Sequence, residues 1–182
     1  DFNVVDTVKI SQDSISFGKL AGNTLQGSNA VALGLQAGRS SQGAGAVAIG
    51  NGAGRSSQGL DTVAIGNGAG NNTQENNAVA IGVKSGNVTQ RKDAVAVGNG
   101  AGNNNQGRGA IALGTFSGMN SQLDRAIALG YDAGNQDQGD DTIAIGTSAG
   151  RERQGRGSIA IGNTAGYDRQ GRNCIAIGSK AG

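Results

Sequence analysis

Residues 142–150 read Thr142-Ile143-Ala144-Ile145-Gly146-Thr147-Ser148-Ala149-Gly150, and near copies of this stretch occur eleven times along the chain. The first glycine of each copy defines position zero, and it recurs every sixteen residues from Gly18 to Gly178 without insertion or deletion. A fixed period of this kind is typical of solenoids, in which each repeat forms one coil and stacks on its neighbours. The sequence therefore predicts an N-terminal cap at residues 1–13 and a repeat domain of eleven sixteen-residue coils at residues 14–182.

The residues before position zero alternate between large and small side chains. Position −3 is β-branched in all eleven coils, and position −1 is Phe17 and then only Leu, Ile or Val. Positions −2 and −4 are small, mostly alanine. This period of two predicts a strand. Because both faces of this strand are apolar, both should be buried. We expect the alanine face inside the coil and the Ile/Val face against copies of the chain. The reverse assignment stays open.

The rest of each coil predicts turns around a second, short strand. Position +4 is Gly and position +3 is Ala or Ser in every coil, and Asn-Gly fills positions +1 and +2 in three coils, which is a strong turn signal. Position +8 is Gln in all ten complete intervals. We expect a strand near +5 to +8, solvent-facing side chains at +5 to +7, and a ladder of stacked Gln amides. The fold class is all-β, a parallel β-roll or β-solenoid.

Composition narrows the function classes. The chain of 182 residues has 35 Gly and no Pro, Trp or His, and without glycine at every third position it is not collagen. A net charge of +2, from 15 basic and 13 acidic residues, does not indicate nucleic acid as a partner. Since no apolar run approaches the roughly 20 residues that span a bilayer, we expect no membrane insertion by this segment.

Two strand segments, Val4-Val5 and Val8-Lys9-Ile10, are expected within the cap.

No catalytic or metal-binding constellation is present in the sequence. Histidine is absent, and Cys174, the only cysteine, falls at the small position −4, where we expect it to be buried filler. The repeated Gly-Gly-x-Gly-x-Asp calcium pattern is also missing, and the Gly-rich stretches lack the Lys-Ser/Thr of a phosphate loop. The sequence predicts a protein that is not an enzyme and that has no cofactor and no metal.

The large side chains of positions −3 and −1 predict self-association. They number twenty-two, which is far more apolar surface than a soluble monomer usually exposes, and burial of each Val or Ile contributes roughly 1.5–3 kcal/mol. A symmetric oligomer with its axis along the rod would bury them. The central candidates for this interface are Ile111, Leu113, Ile127, Leu129, Ile143, Ile145, Ile159 and Ile161.

Charged residues sixteen apart should lie on neighbouring coils. Asp137, Arg153 and Arg169 would form one column, Asp140, Arg156 and Arg172 another, and Glu75 would lie beside Arg91. We expect ion pairs between coils, each worth about 0–1 kcal/mol when exposed. The alternative is a functional one, in which a basic band near the C-terminal end binds an acidic glycan; this arginine band consists of Arg151, Arg153, Arg156, Arg169 and Arg172.

Units such as Ala46-Val47-Ala48-Ile49-Gly50 and Ser158-Ile159-Ala160-Ile161-Gly162, followed by Ala-Gly, resemble the head repeats of YadA-like trimeric autotransporter adhesins. The resemblance covers about residues 14–182. It implies a left-handed β-roll, a homotrimer around the rod axis, and display on a bacterial surface. The family's usual coil is shorter, about fourteen residues, and the sixteen-residue unit with its Gln-Gly element is also similar to repeats of large DNA viruses and phage fibres.

These observations predict a trimeric rod for attachment at a cell or virion surface, outside the cell, with a host surface protein or an acidic glycan as partner. The alternative is a structural part of a virion, tail fibre or spike. A remote alternative is an ice-binding solenoid, which would need aligned short residues on one face. Thr24, Thr73 and Thr89 lie at positions +6, +7 and +7, but no solvent-facing position is uniformly Thr.

Overall fold

The protein is described by a computed structural model that covers residues 8–10 and 13–182. These residues form strands and turns without a helix. The strands that they contain are, in chain order, β1 (Val8–Ile10), β2 (Ile15–Phe17), β3 (Val31–Leu33), β4 (Ser41–Gln42), β5 (Val47–Ile49), β6 (Ser57–Gln58), β7 (Val63–Ile65), β8 (Thr73–Gln74), β9 (Val79–Ile81), β10 (Thr89–Gln90), β11 (Val95–Val97), β12 (Asn104–Gln106), β13 (Ile111–Leu113), β14 (Asn120–Gln122), β15 (Ile127–Leu129), β16 (Gln136–Gln138), β17 (Ile143–Ile145), β18 (Glu152–Gln154), β19 (Ile159–Ile161) and β20 (Ile175–Ile177).

Two sheets run along the stack of coils, and their strands pair in parallel except for β1. Sheet A joins β1, β2, β3, every odd-numbered strand up to β19, and β20, and sheet B joins the even-numbered strands from β4 to β18. Neighbouring coil strands pair in register at the sixteen-residue spacing, so that Ile127 lies opposite Ile143 and Leu129 opposite Ile145. The prediction of an all-β parallel β-solenoid with sixteen-residue coils and a second short strand is therefore confirmed.

The first coil begins beside an antiparallel strand. β1 pairs with β2, with Lys9 opposite Ser16 and Ile10 opposite Ile15, which confirms the strand predicted at residues 8–10. The strand predicted at Val4-Val5 lies outside the described residues. Because β1 occupies the free edge of β2, it lies where a solenoid needs protection from edge-to-edge pairing, and the cap function of residues 1–13 stays a prediction consistent with that place.

Small side chains fill the interior of each coil. Every residue at position −2 is buried, from Ser16 through Ala176, and the alanines and serines at position +3 from Ala21 to Ala165 are fully buried as well. Alanines from these two positions pack together, as Ala96, Ala101 and Ala112 do. The expectation that the alanine face of the strand points into the coil is therefore confirmed.

The Gln at position +8 completes this interior. Eight of the ten, from Gln42 to Gln154, are buried, and each reaches across its coil to the first strand. Gln122 Nε2, for example, donates to the carbonyl oxygens of Ile111 and Ala126 at 2.9 Å each. Five of the nine steps between successive Gln side chains also carry an amide–amide hydrogen bond, such as Gln74 Nε2 to Gln90 Oε1 at 2.8 Å. The predicted amide ladder forms, with interruptions.

The glycine at position zero is needed for both its conformation and its lack of a side chain. Gly130 has φ 127°, which is a region that L residues rarely adopt. A Cβ atom on Gly130 would lie 2.8 Å from the carbonyl oxygen of Gly146 on the next coil. The same contact recurs along the stack, so this glycine sets the sharp turn and allows the close approach of successive coils.

Candidate binding surfaces

The outer side of sheet A presents a continuous apolar face. Because strand side chains alternate, burial of position −2 turns positions −3 and −1 outward, and these two columns form what we call the apolar face. Its members are half-buried by their neighbours along the column or are exposed, as Phe17, Ile81 and Leu113 are. No polar side chain interrupts either column over eleven coils.

The structure places all eight predicted interface residues on the apolar face. Leu113 is 39% exposed, and the other seven, from Ile111 to Ile161, are half-buried. They occupy consecutive, in-register strands β13, β15, β17 and β19. The residues proposed for self-association therefore form one contiguous surface, which is separate from the interior of the coil.

Arg151 of the arginine band is held by acidic neighbours. Its Nε lies 2.5 Å from Asp132 Oδ2, and its Nη1 lies 3.2 Å from Glu152 Oε1. Nη1 also donates to the Tyr167 hydroxyl at 2.7 Å, and the guanidinium carbon lies 5.5 Å from the centre of that ring. The hydrogen bond to Asp132 raises the pKa of Arg151 above its ordinary value. Arg151 is thus a structural cation whose charge is already neutralised.

The other four arginines lie on neighbouring coils. Arg156 Nε is 3.7 Å from Asp141 Oδ2, and Arg169 Nε is 3.6 Å from Asp168 Oδ1. Arg156 and Arg172 line one shallow depression together with Asp141. Within the part of the chain that the structure describes, Arg153 and Arg172 have no acidic partner. The band therefore offers two unpaired cations rather than five.

The predicted ion pairs of Asp137 with Arg153, Asp140 with Arg156 and Glu75 with Arg91 are wrong. Asp140 Oδ1 instead accepts the Asp124 backbone N–H at 3.2 Å, and Glu75 Oε2 accepts the Lys92 N–H at 3.0 Å. Arg91 lies 3.9 Å from Asp124. Asp137 and Arg153 both have left-handed backbones, with φ 50° and 49°. For Asp140 and Glu75 a backbone N–H group replaces the predicted arginine, and Arg156 and Arg91 pair with Asp141 and Asp124 instead.

Asp141 contacts two arginines, Arg125 and Arg156, of which Arg125 lies outside the arginine band. Its Oδ1 lies 2.6 Å from Arg125 Nε, and its Oδ2 accepts a second hydrogen bond from Arg125 Nη2 at 3.1 Å. This bidentate pair joins residues sixteen apart. The hydrogen bond from Arg125 lowers the pKa of Asp141, and the same contact raises the pKa of Arg125.

Two further expectations about individual positions need correction. Cys174 is exposed rather than buried. Position +5 was expected to face solvent, but Asn135 there is 7% exposed. Its Nδ2 donates to the carbonyl oxygen of Phe116 at 3.2 Å, and Asn71, Asn87 and Asn103 make the equivalent bond. An Asn recurring at +5 was the sequence signal for this buried turn contact.

Hydroxyl groups line only part of sheet B. The +7 residues Ser41, Ser57, Thr73 and Thr89 pair in register. From Asn105 onward the +7 residue has positive φ, and the pairing passes to position +6. The outer surface of sheet B therefore changes its geometry between β10 and β12, so the residues considered for ice binding do not form one uniform array.

A depression that the sequence analysis did not identify lies at the edge between the two sheets. It has a volume of about 410 Å³ and is lined by Lys84, Asn87, Val88, Asn99, Gly100, Asn103, Asn104, Phe116 and Met119. We call it the Gly100 notch. The signal for it was present at position +2, where three successive coils read Lys84, Gly100 and Phe116. A missing side chain between two long ones produces a notch.

Across residues 8–10 and 13–182, no group of three or more His, Cys, Asp or Glu side chains could hold a metal ion. In the same residues, no helix is long and apolar enough to cross a membrane.

Comparison with known proteins adds no family. No protein-family model matches the chain, and neither the curated proteins nor the solved structures contain a match.

Proposed function

We propose that the chain is a non-enzymatic rod that trimerises through the apolar face and serves attachment at a cell or virion surface. The observation that carries this proposal is the contrast between a filled interior and an unpartnered outer face. Alanine and Gln side chains already close each coil, so the two aliphatic columns of sheet A are not needed for its core. Their continued presence through eleven coils is the pattern of a surface that is buried in an assembly.

Three copies around an axis parallel to the rod would bury this face. Burial of one fully exposed Val or Ile contributes roughly 1.5–3 kcal/mol. The side chains of the apolar face are already half-buried, so each would contribute only part of this free energy, and these contributions add up over many coils. The polar edges and sheet B would stay in water, where the variable positions are available for contact. The resemblance to trimeric adhesin heads supports three as the number of copies.

The proposed partner at the arginine band is an acidic glycan, held by Arg153 and Arg172, which pair with no acidic side chain among the described residues. Trimerisation would present these cations three times, which raises avidity without a new contact. Heparin immobilised on beads is the probe. The wild-type chain should bind at low salt and elute as salt rises, because exposed charges are screened.

A matched pair of variants tests the band. In the first, Arg151, Arg153, Arg156, Arg169 and Arg172 are changed to Ser; in the second, five cations from outside the band, Arg39, Arg55, Arg91, Lys92 and Arg108, are changed to Ser. Both lose the same net charge. The proposal expects loss of heparin binding in the first variant only. Equal retention of the two variants, or no retention of the wild type, would exclude this mode of attachment.

A structural role in a virion, tail fibre or spike is the second candidate. The in-register pairing from β2 to β20 gives an uninterrupted rod, which suits a rigid spacer, and the sixteen-residue unit is similar to viral repeats. A stable trimer that binds neither heparin nor cells would favour this role over attachment.

A further inference from the structure

The Gly100 notch has an aromatic wall that is fixed in place. The ring of Phe116 leans over Gly100, since a Cβ added to Gly100 would lie 2.8 Å from Phe116 Cδ1. On its other side Phe116 meets the ring of Tyr131 edge-on, with the two ring centres 6.3 Å apart and the planes at 70°. Any side chain at Gly100 would displace the ring, so the glycine and the phenylalanine together shape the depression.

Amide groups with defined orientations face this wall. Asn103 Nδ2 donates to the carbonyl oxygen of Lys84 at 2.9 Å, and Asn104 Nδ2 donates to Asn120 Oδ1 at 2.8 Å. These bonds fix the side chains and leave their Oδ1 atoms as acceptors. Asn99, which is exposed, makes no side-chain hydrogen bond to another described residue, so its amide can both donate and accept. Lys84 adds an exposed ammonium group.

Folding does not require an aromatic side chain at this place. The interior consists of Ala, Ser, Thr and Gln, and the whole chain has only 3 Phe and 2 Tyr. Phe116 also adopts φ 59°, a left-handed conformation that is unfavourable for a bulky residue. Phe116 at position +2 and Tyr131 at position +1 are the only aromatic residues that these two positions carry, and the other coils have Gly, polar or aliphatic residues there, which indicates a role outside the core.

We propose that the Gly100 notch binds a neutral oligosaccharide, with one pyranose ring against Phe116. A pyranose has an apolar face of C–H groups, which suits an aromatic ring, and a rim of hydroxyl groups that donate to and accept from amides. An apolar wall with a few fixed polar groups is the usual composition of a small-molecule site. Of the described residues that line the notch, none is a carboxylate and Lys84 is the one cation, so the sugar need carry no charge. The site is separate from the arginine band and does not depend on trimerisation.

The three phenylalanines allow a direct test. The full chain, labelled with ¹³C in its Phe rings, is titrated with millimolar cellohexaose, chitohexaose and maltohexaose, and ring signals are followed by NMR. The signal that disappears in Phe116→Leu is that of Phe116. The proposal expects at least one hexasaccharide to shift this signal saturably while the other Phe signals stay in place.

Filling the notch provides the matched control. Gly100→Gln places a side chain against the Phe116 ring at a φ of 65° that Gln36 already adopts, at 58°, in the same turn. It should weaken binding about tenfold or more. Gly52→Gln makes the same change at position +2 three coils away and should leave binding unchanged. Three outcomes would overturn the proposal: no shift with any hexasaccharide, equal binding by the two variants, or a Phe116 response to N-acetyl-leucine methylamide without a response to sugar.

Discussion

Replacing the buried Gln122 with Met tests how the coil is held together. Gln122 is fully buried and makes two 2.9 Å hydrogen bonds from Nε2 to the carbonyl oxygens of Ile111 and Ala126. Its Oε1 accepts from Gln106 Nε2 at 3.3 Å. Met has a similar length and volume but no amide, so the change removes these bonds and leaves the cavity filled.

The expected loss follows from these contacts. Each of three buried hydrogen bonds contributes about 0.5–1.5 kcal/mol net. The Ala126 oxygen keeps the N–H of Ile111 at 2.9 Å, and the Gln106 amide keeps its bonds to Val95 and Ala110, so these two partner groups keep other hydrogen bonds. The better solvation of the thioether by the apolar interior offsets part of the loss. We expect the local free energy of unfolding to fall by about 2 kcal/mol.

Hydrogen exchange measured by mass spectrometry is the appropriate assay, because a solenoid can open locally and need not unfold in one step. Amides of residues 106–130 should exchange about 30-fold faster in Gln122→Met. Gln136→Met is the control, since Gln136 is exposed and the substitution is chemically identical. If Gln122→Met exchanged no faster than Gln136→Met, the Gln column would not be a stabilising element and the reasoning would be refuted.

Three further predictions concern other parts of the coil. Gly130→Ala should lower the melting temperature more than Gly109→Ala, because an alanine at Gly130 needs φ 127° and meets backbone, whereas at Gly109 φ is 60° and the nearest atom to a Cβ is Arg125 Cγ at 4.0 Å. We expect about 3 kcal/mol or more against about 1 kcal/mol, and equal losses by thermal denaturation would contradict this. Because Arg125 lowers the pKa of Asp141, this pair stabilises the fold above the ordinary Asp value of about 3.9 and ceases to do so as the pH falls through the lowered folded value. The wild-type melting temperature should therefore drop more steeply below about pH 4 than that of Asp141→Asn, and parallel curves would count against the pair. Ile143→Arg on the apolar face should give a folded monomer with an unchanged circular dichroism spectrum; a variant of wild-type mass would argue against that face as the interface.

Periodicity is enough to predict the strand, but it leaves open which of the two apolar faces points into the coil. The structure decides this, because the small residues at positions −2 and +3 are the buried ones. The Gln at +8 was predicted to stack with its copies, but its bonds to carbonyl oxygens of the first strand, such as Gln42 Nε2 to Val31 at 2.8 Å, depend on the width of the coil. That width is a tertiary property that no short sequence window contains.

The turn at position +11 shows a signal that the sequence analysis passed over. Its residue has positive φ throughout, as in Asn77 at 61° and Asp93 at 61°, and Asn, Asp or Gly occupies nine of its ten occurrences. Asn, Asp and Gly are the residues that adopt this conformation most readily, so a count by position would have found it. Arg125, at 59°, is the exception and is held by its bidentate pair with Asp141.

The surface was less predictable than the core. Column stacking correctly brings Arg125 beside Asp141, sixteen residues away, but it fails for Asp140 and Arg156. An exposed side chain can pair with any of several groups within a few ångströms, including backbone N–H groups. The free energies of these alternative pairs differ by about 1 kcal/mol or less. The Gly100 notch likewise arises from three residues on three coils, which a search for linear motifs does not join.

Light scattering of the purified chain, coupled to size-exclusion chromatography, tests the central claim most directly. The chain mass is 17.9 kDa. If the apolar face is buried among copies, the wild-type protein should have three times this mass, independent of dilution through the micromolar range. A stable, soluble monomer of 17.9 kDa would contradict the account, because the two aliphatic columns of sheet A would then be exposed to water along the whole rod.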